Sequence, residues 1–150
     1  HNGRRRQRQM CIRDSMLCVE DALDALAWVE SIGGLSGAIE RSENNLEAVK
    51  HWVKNSHWID FLCEDHDNLS STSICLKIKD KSFLNLSEDM QKSKIKEINT
   101  ILEKENVAYD INSYRTAPPG FRIGGGSTVE TTDIENLLPW LDWAYTVVNG

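Results

Sequence analysis

Two arginines, Arg115 and Arg122, flank the segment Thr116-Ala117-Pro118-Pro119-Gly120-Phe121. Each side chain is a planar fork of N–H donors that matches the edge of a carboxylate or phosphate. Pro118 and Pro119 fix φ and remove two backbone donors, so the link between the arginines is not helical. Gly120 then lets the chain turn into an extended Phe121-Arg122-Ile123 run. A stiff loop that presents two such forks, with the Tyr114 hydroxyl beside them, suits a small ligand carrying two anionic groups.

Other chemistry-bearing groups are less specific. Gly124-Gly125-Gly126-Ser127-Thr128 lies where backbone amides can cradle phosphate. It lacks the lysine and spacing of a P-loop and is not a G-x-G-x-x-G fingerprint, so it reads as a strand-to-helix connection. Cys63 and His66 have ligand-like spacing, with His57 and Cys75 nearby, but Cys75 falls inside a strand alternation and no zinc site is expected. No serine or cysteine nucleophile is set beside a histidine in triad context. Of the five tryptophans, Trp28, Trp52, Trp140 and Trp143 fall on expected helices and read as aromatic core rather than a base-stacking platform.

Composition sets the frame for these groups. A chain of 150 residues with 40% hydrophobic and 27% charged residues is that of one globular domain. No apolar run approaches the ~20 residues of a membrane helix. Cys11, Cys18, Cys63 and Cys75 lack the spacing of a disulfide framework, which suggests reduced thiols and a cytoplasmic setting. The net charge of −6 is uneven. Five of the 17 basic residues but only one of the 23 acidic ones lie in residues 1–15, so the remainder carries −10. An acidic body argues against nucleic acid. The arginine-rich start, ending Met10-Cys11-Ile12-Arg13-Asp14-Ser15, has no hydrophobic period and resembles a translated adaptor, so residues 1–15 are expected to be a non-native or disordered leader.

The elements that must position the arginines follow from periodicity. Met16, Val19, Ala22, Leu23, Leu26 and Val29 recur at helical spacing before the stop at Gly33-Gly34. Leu35, Ile39, Leu46, Val49 and Val53 form the stripe of a second helix. Thr72, Ile74, Leu76 and Ile78 alternate with polar residues as a half-buried strand. Ser87 caps a third helix that runs to about Glu105. Val107, Tyr109 and Ile111 alternate as a strand, and Phe121-Arg122-Ile123 as another. Thr132-Asp133-Ile134-Glu135 is a capping box for a last helix with Ile134, Leu137, Leu138, Leu141 and Ala144 inward. The order α-α-β-α-β-β-α predicts an α+β fold, a short, mainly antiparallel sheet covered by helices.

Six stretches carry a resemblance: 15–21 (Ser-Met-Leu-Cys-Val-Glu-Asp), 31–35 (Ser-Ile-Gly-Gly-Leu), 72–77 (Thr-Ser-Ile-Cys-Leu-Lys), 107–111 (Val-Ala-Tyr-Asp-Ile), 117–123 (Ala-Pro-Pro-Gly-Phe-Arg-Ile) and 138–144 (Leu-Pro-Trp-Leu-Asp-Trp-Ala). In this order, from Ser15 to about Val147, the chain resembles the C-terminal portion of the phosphoserine aminotransferases, pyridoxal-phosphate enzymes of aminotransferase fold type I. The resemblance implies that residues 16–150 are the small C-terminal domain with its connecting helix. It implies the reversible conversion of 3-phosphohydroxypyruvate and glutamate to O-phosphoserine and 2-oxoglutarate, in serine biosynthesis, by a cytoplasmic homodimer with pyridoxal 5'-phosphate.

Residue by residue, the resemblance gives Arg122 the substrate α-carboxylate and Arg115 the substrate phosphate, with Tyr114 where some members have histidine. The family's Asn-Thr-Pro-Ser stretch, which reaches the cofactor phosphate of the neighbouring subunit, is represented by Ser15 alone. Gly124 and Gly125 replace bulkier residues of relatives. No lysine here stands in the sequence context of the Schiff-base lysine, so the chain is expected to be a fragment that cannot transaminate by itself. A rival reading is a free-standing α+β module that binds a dianionic metabolite through Arg115 and Arg122. Another, an interaction domain acting through the basic arm, predicts salt-dependent nucleic-acid binding.

Overall fold

A computed structural model of the chain describes residues 16–114 and 116–149. Arg115 and residues 1–15, on which the expected leader and Ser15 fall, lie outside the described residues. The chain divides into two compact units, residues 1–38 and 39–150.

The described part of the first unit holds helix α1 (Met16–Ser31) and the first residues of α2 (Gly34–Asn55). The break between them is made by Gly33 and Gly34 at φ 99° and 68°, a left-handed conformation that costs glycine nothing. None of the residues of α1 is buried. The periodic residues Met16, Val19, Leu23 and Leu26 are all exposed, so the apolar stripe legible in the sequence has no core beneath it within its unit.

In the second unit, α2 buries Leu46, Val49 and Val53. Strand β1 (Ile59–Phe61) and strand β2 (Ser73–Ile78) follow, then a short helix α3 (Lys81–Leu84) and helix α4 (Glu88–Lys104). Strand β3 (Gly120–Gly124) and helix α5 (Thr131–Asn149) complete it. The sheet has the order β1-β2-β3 and both pairings are antiparallel, with Phe61 opposite Leu76 and Cys75 opposite Arg122. The fold is α+β, as expected. Ile74, Leu76 and Ile78 point into the core, while Ser73, Cys75 and Lys77 between them do not. The Ser87 hydroxyl caps α4 by accepting from the Met90 N–H, also as expected.

Two expectations fail, and one strand was not anticipated from the sequence, each for an identifiable reason. Val107-Tyr109-Ile111 is not a strand: Asn106 and Asp110 take positive φ of 58° and 53° and bend the segment at both ends. Its neighbour Asn112 makes one isolated bridge, to Phe121. Ile59–Phe61 is a strand, although three residues are too few to show a period of two. The aromatic core rests on Trp58, which is 1% exposed, whereas Trp140 and Trp143 are 39% and 43% exposed. Trp58 stacks on Tyr145, and Asp142 of α5 accepts both the Trp58 indole N–H at 2.6 Å and that of Trp52 at 2.8 Å. Helix α5 also continues through Pro139, despite the backbone donor it lacks there.

Candidate functional site

Strand β3 sets the orientation of Arg122. Phe121 and Ile123, on either side of it, are buried at 1% and 2% exposure. The strand period therefore turns Arg122 to the opposite face, beside Cys75. Gly120 permits the pairing: a Cβ there would stand 2.1 Å from the Leu76 carbonyl oxygen.

The Pro118-Pro119 turn folds the preceding segment back along β3. The Arg122 N–H donates to the Ile111 carbonyl at 2.9 Å, and the Ser113 N–H to that of Gly120 at 3.3 Å. The Ala117 N–H donates to the Tyr114 carbonyl at 2.9 Å and tightens the loop. Tyr114 is thereby laid against Arg122, with the guanidinium carbon 4.5 Å from the ring centroid. This is cation–π distance. Arg122 Nη1 donates to the Tyr114 hydroxyl at 3.3 Å, and Nη2 stands 3.8 Å from Asp110 Oδ2. Nε is buried and has no hydrogen-bond partner. The guanidinium is thus oriented by an aromatic ring and one hydroxyl while part of its donor capacity stays unused.

Tyr114 also borders a cavity of about 370 Å³, lined besides by Lys92, Ile95, Asn112, Ser113 and Pro119. Lys92 matters to the cofactor that the sequence resemblance implies. A lysine that carries pyridoxal phosphate must give up its proton to act as a nucleophile. Lys92 donates to Glu88, and that hydrogen bond raises its pKa instead. Lys94 is spent on the Val148 carbonyl and Asn149 Oδ1, each at 2.9 Å. Neither fits the cofactor, and no step through it follows from these residues.

The glycine-rich connection serves the fold. Asn45 of α2, fully buried, donates to the carbonyls of Gly125, Gly126 and Val129, and its Oδ1 accepts from the Thr131 hydroxyl at 2.7 Å. Carbonyls rather than amides converge on this point, and the Gly125 N–H is taken by the Thr72 carbonyl. Gly125 is packed against Ser71 and Ile74, whereas a Cβ at Gly124 would meet nothing within 4 Å. Cys63 donates to the Asp65 carbonyl, and the His66 ring stands edge-on to Phe61. Among the described residues no three potential metal ligands converge.

Of the residues picked out in the sequence, Tyr114 and Arg122 come together, while Arg115 and Ser15 lie outside the described residues. Asp110 was not among them. Its only local signal is an acidic residue at a bend, a place where Asp and Asn tolerate positive φ.

No protein-family model matches the chain. It is 46% identical over 134 residues to a phosphoserine aminotransferase of Methanosarcina barkeri, and 45% identical over 134 residues to that of Methanosarcina mazei. Each match covers 89% of this chain and 34% of the relative. Among solved structures, the phosphoserine aminotransferase from Bacillus circulans subsp. alkalophilus superposes with a TM-score of 0.63 at 20% identity, over 83% of this chain and 30% of that one. Over most of its own length the chain is therefore similar in sequence to two phosphoserine aminotransferases and in fold to a third, and it spans about a third of the length of the curated relatives it matches.

Proposed function

We propose that the chain is the C-terminal part of a phosphoserine transaminase, in which Arg122 anchors the α-carboxylate of O-phosphoserine or glutamate. The observation that carries this reading is the Arg122 guanidinium, turned out of the core by β3 and backed by the Tyr114 ring. Such a fork holds a carboxylate in a fixed plane, and positioning of this kind lowers a barrier without itself making or breaking bonds. Tyr114 steadies the guanidinium through its ring and hydroxyl. Arg115, next in the chain, is assigned the substrate phosphate on the strength of the family motif. Ser15 is assigned a contact to the cofactor phosphate on the same ground.

In the longer enzyme, pyridoxal 5'-phosphate supplies the electron sink for transamination. A homodimer, a cytoplasmic location and a role in serine biosynthesis belong to the same proposal, as do the assignment of residues 1–15 as a leader and of 16–150 as the small domain. No described helix is long and apolar enough to cross a membrane.

A chimera tests the reading. Residues 16–149 replace the matching third of the Methanosarcina barkeri relative, and phosphoserine-dependent glutamate formation is assayed. Activity is expected to survive, and Arg122→Ala is expected to lower kcat/KM by about 100-fold, the order expected for loss of a charged two-pronged contact. A chimera that folds, binds the cofactor and leaves phosphoserine untouched would overturn the assignment.

A further inference from the structure

We propose that Asp110 is a built-in competitor for the ligand carboxylate at Arg122, displaced when the ligand arrives. This rests on the reading of Arg122 as the carboxylate anchor and adds to it a residue that tunes its affinity.

The argument starts from the unsatisfied edge of the guanidinium. A carboxylate grips arginine best with two parallel hydrogen bonds, and Nε with Nη2 forms one such edge. Here Nη1 is engaged by Tyr114, Nε is buried without a partner, and Nη2 has only Asp110 Oδ2, at 3.8 Å. That distance is an ion pair and not a hydrogen bond. The edge is approached by Asp110 at Nη2 but not satisfied. The Asp110 side chain is 87% exposed against 28% for Arg122, so the acid gives up little on swinging into water. A ligand carboxylate that bonds both Nε and Nη2 gains what Asp110 does not supply.

The backbone keeps Asp110 at this post. It sits at φ 53°, a conformation that Asp adopts more readily than most residues, and the next residue, Ile111, is buried and accepts the Arg122 N–H. The competitor and the guanidinium are thus tied to one another by the backbone hydrogen bond between their segments.

The test titrates the whole chain with O-phospho-L-serine and, separately, with phosphoethanolamine, which has the phosphate and amine but no carboxylate. NMR follows the Arg122 Nε–H and the Asp110 carboxyl carbon. Asp110→Asn keeps the preference for positive φ while removing the charge. We expect it to tighten O-phosphoserine binding about two- to fivefold, the range of an exposed ion pair, and to leave phosphoethanolamine unchanged. In the unaltered chain the Asp110 carboxyl signal is expected to move as O-phosphoserine saturates the site. If Arg122→Ala abolishes binding but Asp110→Asn leaves it unchanged or weakens it, the competitor role is overturned and the anchor reading stands. If Arg122→Ala binds as tightly as the unaltered chain, or if O-phosphoserine never shifts the Arg122 Nε–H, both fall together.

Discussion

The ring of Tyr145 lies flat on that of Trp58, with centroids 4.0 Å apart and planes inclined by 11°. The same tyrosine donates its hydroxyl proton to Asp80 Oδ2 at 2.6 Å. Burial, followed by that hydrogen bond, pushes the phenol well above the usual tyrosine range, so it remains a donor across the working pH range. One side chain of α5 thereby closes an aromatic stack and fixes the acid that caps α3 by accepting from the Ser82 N–H.

This arrangement predicts an acid limb of stability. The Tyr145 hydroxyl first, and the Ser82 N–H second, hold the Asp80 carboxyl below its ordinary pKa. A carboxylate depressed in the folded state contributes stability above its unfolded pKa of about 4 and loses it as pH falls toward the folded value. Tyr145→Phe keeps the stack but drops the hydrogen bond. Its cost at neutral pH is expected to be about 1–2 kcal/mol, and the loss of stability below about pH 4 to be shallower than in the unaltered chain. Urea unfolding from pH 2 to 7 checks both, and parallel curves for the two proteins would refute the linkage.

Asn45 predicts a larger effect. Its side chain satisfies three carbonyls and one hydroxyl in a fully buried position. Asn45→Leu removes all four bonds, although the Gly126 carbonyl keeps the Val129 N–H, and is expected to cost about 2–4 kcal/mol. Asn45→Asp sets a carboxylate against three carbonyl oxygens and is expected to cost at least as much. Chemical denaturation of both variants measures this; a shift under 0.5 kcal/mol would show that the connection is held by something else.

The glycines around Arg122 are expected to behave unequally. Gly120→Ala drives a Cβ to 2.1 Å from the backbone oxygen of Leu76, which no rotamer change relieves. The β2–β3 pairing must open, with loss of more than about 2 kcal/mol and a displaced Arg122. Gly124→Ala meets open space and is expected to stay within about 0.5 kcal/mol of the unaltered chain. Thermal unfolding of the pair distinguishes them, and equal effects would contradict the register.

Helix α1 offers a prediction about solubility. Leu23 and Leu26 are 54% and 63% exposed, and no residue of α1 is buried. Replacing both with Glu, itself a strong helix former, is expected to leave unfolding free energy within about 0.5 kcal/mol and to reduce binding of a hydrophobic dye. A marked loss of stability would mean that this stripe is already covered in the isolated chain.

Local chemistry made a good part of this protein legible. The alternation of Ile74, Leu76 and Ile78 gives β2, Ser87 gives the start of α4, and the Pro-Pro-Gly turn gives an outward-facing Arg122 beside Tyr114. Each rests on residues within a few positions of one another. Val107-Tyr109-Ile111 shows the limit of that reasoning: the alternation is present, but positive φ at Asn106 and Asp110 makes the segment a bend. Only the tertiary structure decided what meets across the chain. Asn45 reaches Gly125 across 80 positions, Trp52 reaches Asp142 across 90, and Trp58 rather than Trp140 or Trp143 fills the core. Periodicity records which face of an element is apolar. It does not record which distant element that face will meet, and for that reason the acid at Arg122 and the amide beneath the glycine-rich turn came into view only with the fold.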